Sequence, residues 1–449
     1  MSMSNMQIME MPNKVAAVFE TDSAKIFEVE DVKPQTIIKA KRGYIPWGES
    51  NDQPTLILEK IRNSDVMSPN MQFNVLTAYG NGLKFKMEDG SKVDNQEVID
   101  FFRRNNSVKY LLEHMTDIKH FSFAITLLFV SNDGNKIVKI KHKEAFHCRF
   151  EENNPKNGKV ENVFFANWAD TPDEKTTQTY PVLDQEDPFT DLMVRLGKEP
   201  DPFTAKKVAA TKDRIFAVIT RLPTPGHKYY PFPSYASHFN SGWYDISAMI
   251  PIAKKAKMVN GLVVKYHVEF HKEYFEQLFQ EESISDPKKR IERKKLEFNN
   301  VKEFLSGIEN SGKVWYSGYY IDPNGKENHM IKITLIDNKK EGGDYIEDSE
   351  EAANMQCYSM GIHPSLIGAV PGKSKGSLSG SDKRELFTMK QALETPFRNL
   401  AMIPFEIIKG FNKWDENIVF DIPHLMLTTL DEGTDAKEVT TLNNNSDDR

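Results

Sequence analysis

Apolar positions recur at helical spacing early in the chain, at strand spacing in its middle and at helical spacing again near its end. Pro54 stands where a helix can start, and Leu56, Ile57, Lys60 and Ile61 follow it at the right intervals. A second helix is predicted over 69–79, stopped by Gly80-Asn81-Gly82, whose residues tolerate positive φ. Asp94 opens a third, with Val98, Ile99, Phe101 and Phe102 on its apolar side, and 108–115 forms one more. The period then changes. Strands are predicted over 121–130, 136–143, 160–168 and 214–221, with Asp133-Gly134 and Asn157-Gly158 as hairpin turns. The acidic stretch 171–211 reads as a surface excursion, and the Pro- and Tyr-rich segment 223–233 cannot be helical.

A helix follows over 241–261, with Ile246, Met249, Ile250, Ala253 and Ala256 on one side and Pro251 kinking or splitting it. Next comes a small α/β block: a strand over 263–270, a charged helix over 286–308, and strands over 314–321 and 331–337 joined at Pro323-Asn324-Gly325. Asp344 caps a helix whose stripe is Ile346, Ser349, Ala353, Gln356 and Met360. A Gly/Ser-rich loop carrying Lys373 and Lys375 runs from Met360 to Asp382, long enough to mark a functional segment. Asp382-Lys383-Arg384-Glu385 then has the form of a capping box, opening a helix with Leu386, Met389, Leu393, Phe397, Leu400, Ile403 and Ile407 as its apolar stripe, bent at Pro396 and Pro404. A short strand is expected at 418–420, and 431–449 is a polar, acidic tail.

At 449 residues more than one domain is expected, and 39 % hydrophobic residues with 28 Phe supply sizeable cores. The longest apolar run, 123–130, is far short of a membrane span, and 1–14 lacks the apolar stretch of a signal peptide. No membrane partner is expected. The two cysteines, Cys148 and Cys357, fit a reducing compartment rather than a disulfide framework. A net charge of −7 argues against a protein that grips nucleic acid by bulk charge. Locally, Lys254, Lys255 and Lys257 cluster, as do Arg290, Arg293 and Lys294 with their lysine neighbours; interleaved acids make the second cluster read first as a solvated helix face.

Catalytic motifs fail on spacing. Gly372-Lys373-Ser374 resembles the end of a phosphate-binding loop, but Gly368 leaves three intervening residues instead of four, and Gly376 and Gly380 deny the helix start that would hold a phosphate. His267-Val268-Glu269-Phe270-His271 has its glutamate one place too late for the zinc-protease motif. His142, His147 and Cys148 lack a fourth metal ligand nearby, and there is no G-x-S-x-G elbow. No enzyme, cofactor or metal is expected.

Three segments together resemble the tailed-bacteriophage portal, or head-to-tail connector, family: Tyr44-Ile45-Pro46-Trp47-Gly48 with Asn51-Asp52-Gln53-Pro54; Tyr79-Gly80-Asn81-Gly82; and Gly361-Ile362-His363-Pro364-Ser365-Leu366-Ile367-Gly368 with the loop and helix behind it. The likeness spans about 44–411. It implies an α+β protomer: an arm (1–50), an α/β wing (51–235), a first stem helix (236–262), a small α/β clip (263–338), a second stem helix (339–361), a tunnel loop (362–381), a long kinked wing helix (382–411) and a reduced crown with an acidic tail (412–449). It further implies a homo-oligomeric ring of about twelve copies at one capsid vertex of a virion made in the bacterial cytoplasm. The partners implied are double-stranded DNA in transit, the terminase large subunit, the major capsid protein and head–tail adaptor or neck proteins. Lys373, Ser374, Lys375 and Ser377 would face the DNA, Lys254, Lys255 and Lys257 would lie on the channel stem, and Arg290, Arg293 and Lys294 on the clip.

Elementary geometry agrees with such a ring. Twelve helices at about 10 Å spacing enclose a channel of roughly 28 Å, enough for a DNA duplex. Twelve copies at −7 apiece total −84, which discourages DNA from sticking in passage. The competing expectations are a nucleotide-dependent DNA-processing enzyme, a monomeric nucleic-acid-binding module, and another structural protein of a phage head or neck.

Overall fold

The computed structural model describes residues 6–11, 14–19, 43–169, 172, 175–261, 266–306, 318–321, 325, 327–335, 345–367 and 380–425. They form two units, Met1–Ser247 with Glu347–Arg449, and Ala248–Ile346. In the first, β1 (Met6–Met11) and β2 (Lys14–Phe19) form an antiparallel hairpin. Then come α1 (Gln53–Arg62), α2 (Met67–Tyr79), β3 (Lys84–Met87), α3 (Gln96–Arg104) and α4 (Ser107–Phe121). The Asn95 side chain accepts from Glu97 N at 3.0 Å and so starts α3. Ser122, in the left-handed conformation (φ 62°), ends α4 and turns the chain at once into β4 (Phe123–Val130). Phe121, expected to open the strand, closes the helix instead.

β4 has no polar alternation because both of its faces are buried. It lies between β5 (Ile137–Lys143) and, later in the chain, β9 (Ile215–Arg221), antiparallel to both, giving the order β5-β4-β9. Ala124, Leu128 and Val130 join one core with Val98, Phe101 and Phe102 of α3 and Tyr110, Leu111 and Met115 of α4. Phe123, Ile125 and Leu127 join a second core with Ile45, Trp47 and Ile57. That second face is also covered by the antiparallel sheet β6 (Cys148–Phe150), β7 (Asn162–Phe165) and β8 (Gln178–Pro181).

Arg149, 1 % exposed, ties the segment 45–54 to this layer. Its guanidinium donates to Asn51 Oδ1, to Asn51 O at 2.8 Å and to Cys148 O at 2.7 Å, and lies against the Trp47 and Trp168 rings. The same Asn51 Oδ1 accepts from Trp47 N at 3.0 Å, closing a turn in which Gly48 (φ 83°) would bring any Cβ within 2.9 Å of Gln53 Cβ. The motif Trp47-Gly48…Asn51-Asp52-Gln53 is thus a built turn, and the end of the expected arm belongs to the core.

The acidic stretch 171–211 is less superficial than expected. It supplies β8 and α5 (Pro188–Arg195), started by Asp187 Oδ1 accepting from Thr190 N at 3.0 Å, and it buries Val182, Leu183, Leu192 and Leu196. After β9, a 3-10 turn over Ser234–Asn240 leads to α6 (Trp243–Gly261), which continues through Pro251 without splitting.

The second unit pairs β10 (Tyr266–Phe270) with a late strand across two helices, α7 (Lys272–Glu281) and α8 (Pro287–Ser306). A hairpin of β11 (Tyr319–Ile321) and β12 (Glu327–His329) precedes that strand, β13 (Ile331–Leu335). Among the described residues, the strands expected at 314–321 and 331–337 therefore do not pair with each other. Rings of Phe270, Phe275 and Phe298 pack at 5.1–5.6 Å between centroids, with Phe279, Val301 and Ile331 buried nearby in sequence.

The chain returns to the first unit through α9 (Ile346–Ser359), then α10 (Gly380–Leu393), α11 (Thr395–Asn412) and β14 (Ile418–Asp421), which pairs with β3. The single long helix expected over 382–411 is two, broken at Glu394, with Pro396 in the first turn of α11, where its missing N–H costs nothing. Trp414, Ile418, Phe420 and Ile422, in the segment for which the resemblance implies a reduced crown, pack into the first core.

Beneath β4 lies a buried polar layer. Tyr110 and Thr126 hydroxyls meet at 2.8 Å, His114 Nε2 lies 3.1 Å from Thr220 Oγ1, and His142 Nε2 lies 2.9 Å from Asp117 Oδ2. Burial, with the nearby His142 adding to it, pushes the His114 pKa down to about 3. An unfolded chain protonates this histidine near 6.5, so between those values it binds more protons than the folded one and stability falls as pH drops. Urea denaturation is expected to lose roughly 2 kcal/mol from this group between pH 6.5 and 5. The loss should shrink in His114→Gln; an unchanged slope would mean that His114 is not the group.

Candidate functional site

The loop expected after α9 is flanked by Met360–Ile367 and by α10, and these two segments meet at one buried cluster. Its first foot is Met360–Ile367. Met360 and Ile362 are buried in the second core, and Asn74 Nδ2 of α2 donates to Met360 O at 3.0 Å. One turn earlier, Gln356 accepts from Ser64 Oγ at 2.9 Å and donates to Ser247 Oγ, while Asn70 Nδ2 lies 3.3 Å from Cys357 Sγ. Burial pushes the Cys357 thiol up, so it stays protonated and inert. His363 Nδ1 accepts from Ser365 N at 3.3 Å to start the 3-10 turn Pro364–Leu366.

The second foot is α10 and its junction with α11. Glu394, 1 % exposed, sets an oxygen against each of two ammonium groups: Lys119 of α4, and Lys390 at 3.0 Å. Lys390 Nζ also reaches Gly361 O of the first foot at 3.5 Å. Lys119 sits over the Phe397 ring; burial pushes its pKa down to about 8, against the pull of Glu394. Arg398 extends the cluster, donating to Thr77 O at 2.7 Å, Ala78 O at 3.1 Å and Gln391 Oε1 at 2.6 Å. It thereby satisfies the last carbonyls of α2, where a cation is favoured. The guanidinium comes so close that a Cβ at Gly80 (φ 56°) would lie 3.0 Å from its Nη2, which accounts for the glycine in Tyr79-Gly80-Asn81-Gly82.

This cluster inverts the face that sequence assigns to the helix. Met389 and Leu393, expected in its buried stripe, are 63 % and 65 % exposed, while Lys390, Gln391, Glu394 and Arg398 are buried. The residues Lys390, Glu394 and Arg398 recur every fourth position, a signal visible in the sequence but readable only as a solvated face. Likewise Ala352 and Ala353 of α9 are buried within the chain, whereas Met249 and Ile252 of α6 are 62 % and 64 % exposed.

The DNA-facing residues expected from sequence, Lys373, Ser374, Lys375 and Ser377, lie outside the described residues. Lys254 is half-buried and Lys255 exposed on α6; Lys257 lies on the same helix. Arg290, Arg293 and Lys294 share α8 and face its neighbours. Arg293 Nε bonds both Glu282 carboxylate oxygens at 2.8–2.9 Å and its Nη1 bonds Glu297 at 2.9 Å, while Arg290 and Lys294 lie over the Phe279 ring. Among the described residues no group of three or more His, Cys, Asp or Glu side chains is placed to hold a metal, and no helix is long and apolar enough to cross a membrane.

A sheet buried on both faces, completed by segments from either side of an inserted second unit, defines an α+β fold. Its fold is shared with chains of gene transfer agent (GTA) particles. One, from the virion of the native particle, is 11 % identical with a TM-score of 0.54, over 85 % of this chain and 86 % of that one. Another, from the neck of the empty particle in C6 symmetry, is 11 % identical with a TM-score of 0.53 over 84 % and 85 %. A third, from the neck of the native particle in C12 symmetry, is 12 % identical with a TM-score of 0.50 over 84 % of each. No family model and no curated protein matches the sequence.

Because Glu394 serves two ammonium groups, Glu394→Gln should cost about 3–5 kcal/mol by leaving buried charge uncompensated. The apolar replacement Lys119→Met/Lys390→Met/Glu394→Leu should cost less. Urea midpoints of the two variants decide; a Glu394→Gln variant as stable as the parent would show that the cluster does not bind the feet together.

Proposed function

We propose that this chain is the portal protein of a tailed-phage-like particle, a ring at one capsid vertex through which double-stranded DNA passes. The observation that carries this reading is the inverted α10. In a monomer Met389 and Leu393 stay in water while Lys390, Glu394 and Arg398 are buried, so the helix satisfies its ionic face and leaves its apolar one uncovered. A neighbouring copy that covers those side chains, and Met249 and Ile252 of α6, removes the conflict. The shared fold with chains of GTA virions and necks supports a structural place in the head or neck of such a particle, and the C6 and C12 symmetries of those necks are compatible with a ring of about twelve.

In this reading the first unit contains the wing (51–235 with 382–411), the second contains the clip, and α6 and α9 are the stem helices. Lys254, Lys255 and Lys257 would lie along the channel stem. Arg290, Arg293 and Lys294 would brace the clip that meets the terminase motor and later the adaptors. The loop, with both feet clamped at one cluster, would carry Lys373 and Lys375 toward the phosphates, Ser374 and Ser377 between them. The major capsid protein would surround the wing, and no ATP would be hydrolysed by this chain. The second reading is a head or neck protein off the DNA path.

Native mass measurement should give a species many times 51.5 kDa; a monomer at every concentration and salt would end the ring reading. Lys373→Ala/Lys375→Ala should leave the ring intact and change the yield of DNA-filled heads. Normal filling would favour the second reading, and loss of rings would make the loop a structural element.

A further inference from the structure

The two edges of the wing sheet carry opposite charge. β5, at one edge, places Lys139, Lys141 and Lys143 at alternate positions on one face, while Ile137 and Ile140 enter the first core. With Lys109 of α4 they line a cavity of about 630 Å³ whose acids are Glu113 and Glu144 alone, leaving four lysines against two carboxylates. None of Lys139, Lys141 and Lys143 forms an ion pair among the described residues. Lys139 lies over Phe129 and Lys143 over Phe165, with Lys143 Nζ 2.9 Å from Gln178 Oε1. Partial burial, and then the charge of Lys141, hold the Lys143 pKa down, against the pull of Glu144. The residues Lys139-Ile140-Lys141-His142-Lys143 alternate with the period of two that a strand gives its faces.

At the other edge, beyond β9, Leu183 N donates to Ala217 O at 2.9 Å and carries the following acidic turn over the sheet edge. Here a cavity of about 1200 Å³ is lined by six carboxylates and four basic groups. Asp184 pairs with Lys159 and Asp191 with Arg195, but Glu186 is exposed and forms no ion pair among the described residues. Phe203, on the same rim, is 93 % exposed, an aromatic face open to an ammonium group.

We propose that in the assembled ring the basic groove at the β5 edge of one protomer receives the acidic rim at the β9 edge of the next. This rests on the ring reading above. A closed ring built by rotation uses two unlike surfaces on each copy, whereas a twofold dimer uses one self-complementary surface. One sheet with a basic cavity at one edge and an acidic cavity at the other provides such an unlike pair. Like edges repel, so the same charges reject twofold dimers and set the direction of addition.

The test reverses each edge separately in the full chain. Lys139→Glu/Lys141→Glu reverses the basic edge, and Gln185→Lys/Glu186→Lys the acidic one; all four side chains are exposed and none caps a helix. With circular dichroism and melting unchanged, each variant alone is expected to need about tenfold more protein to form rings in sedimentation velocity. The chain carrying all four substitutions, or an equal mixture of the two variants, is expected to recover them. Single variants that assemble as the parent does, or a four-substitution chain without recovery, would overturn the edge pairing while leaving the ring in place. Normal rings from Lys139→Glu/Lys141→Glu with reduced DNA retention would assign the groove to nucleic acid instead. A parent that never forms rings would overturn the ring reading itself.

Discussion

The first unit is organised by the demand of one strand. β4 buries seven of its eight residues, so its sheet must be covered on both faces. No single neighbouring segment covers both. One face is closed by α3 and α4 together with Phe405, Ile408 and Phe411 of α11 and Trp414 and Phe420 beyond it; the other by segment 45–61 and the β6-β7-β8 sheet. Residues almost three hundred positions apart therefore share one core, and the intervening unit is accommodated as an insertion. Where β4 does carry a polar side chain, Thr126, it finds Tyr110, as a buried hydroxyl must.

The ionic cluster at Glu394 obeys the same rule with charge in place of apolar area. Burying Lys119 and Lys390 is costly unless a carboxylate lies within reach, and Arg398 is accommodated because α2 ends in carbonyls that need donors. The cluster fixes α2, α4, α10 and α11 relative to one another and places Gly361 and Lys390 side by side.

Much of the fold was legible. The helices α1 to α4, the strands β4, β5 and β9, the apolar connector before α6, and the charged helix of the second unit all follow from periodicity and turn residues. The failures share a cause. Period counts apolar positions and assumes that they are inside; in α10 the inside is ionic, so the stripe of Met389 and Leu393 pointed the wrong way. In 171–211 a few apolar anchors, Val182, Leu183 and Leu192, were outnumbered by acids, although Asp187-Pro188 offered a helix start. The helix α7 carries Phe275, Leu278 and Phe279 at helical spacing, a short signal set among charged residues. At the site, the glycines and asparagines of the short motifs were visible as residues, but their reasons, Arg149 at Asn51 and Arg398 at Gly80, join positions about a hundred and more than three hundred apart.

A core closed by both ends of the chain has a consequence for its birth on the ribosome. When β9 has emerged, segment 45–61 and the β6-β7-β8 sheet can already cover the second face of β4, with Met360 and Ile362 still to come, but Ala401, Phe405, Ile408 and Phe420 of the first core are about two hundred residues from synthesis. At translation rates of about 5–20 residues per second the unfinished sheet waits on the order of tens of seconds. During that interval the second unit, contiguous in the chain, is completed first. Lys119 likewise waits for Glu394, so the clamp on the loop cannot close around an incomplete polypeptide. The order of synthesis becomes a safeguard, because a truncated chain lacks the ionic lock that joins α4 to α10 in the finished fold.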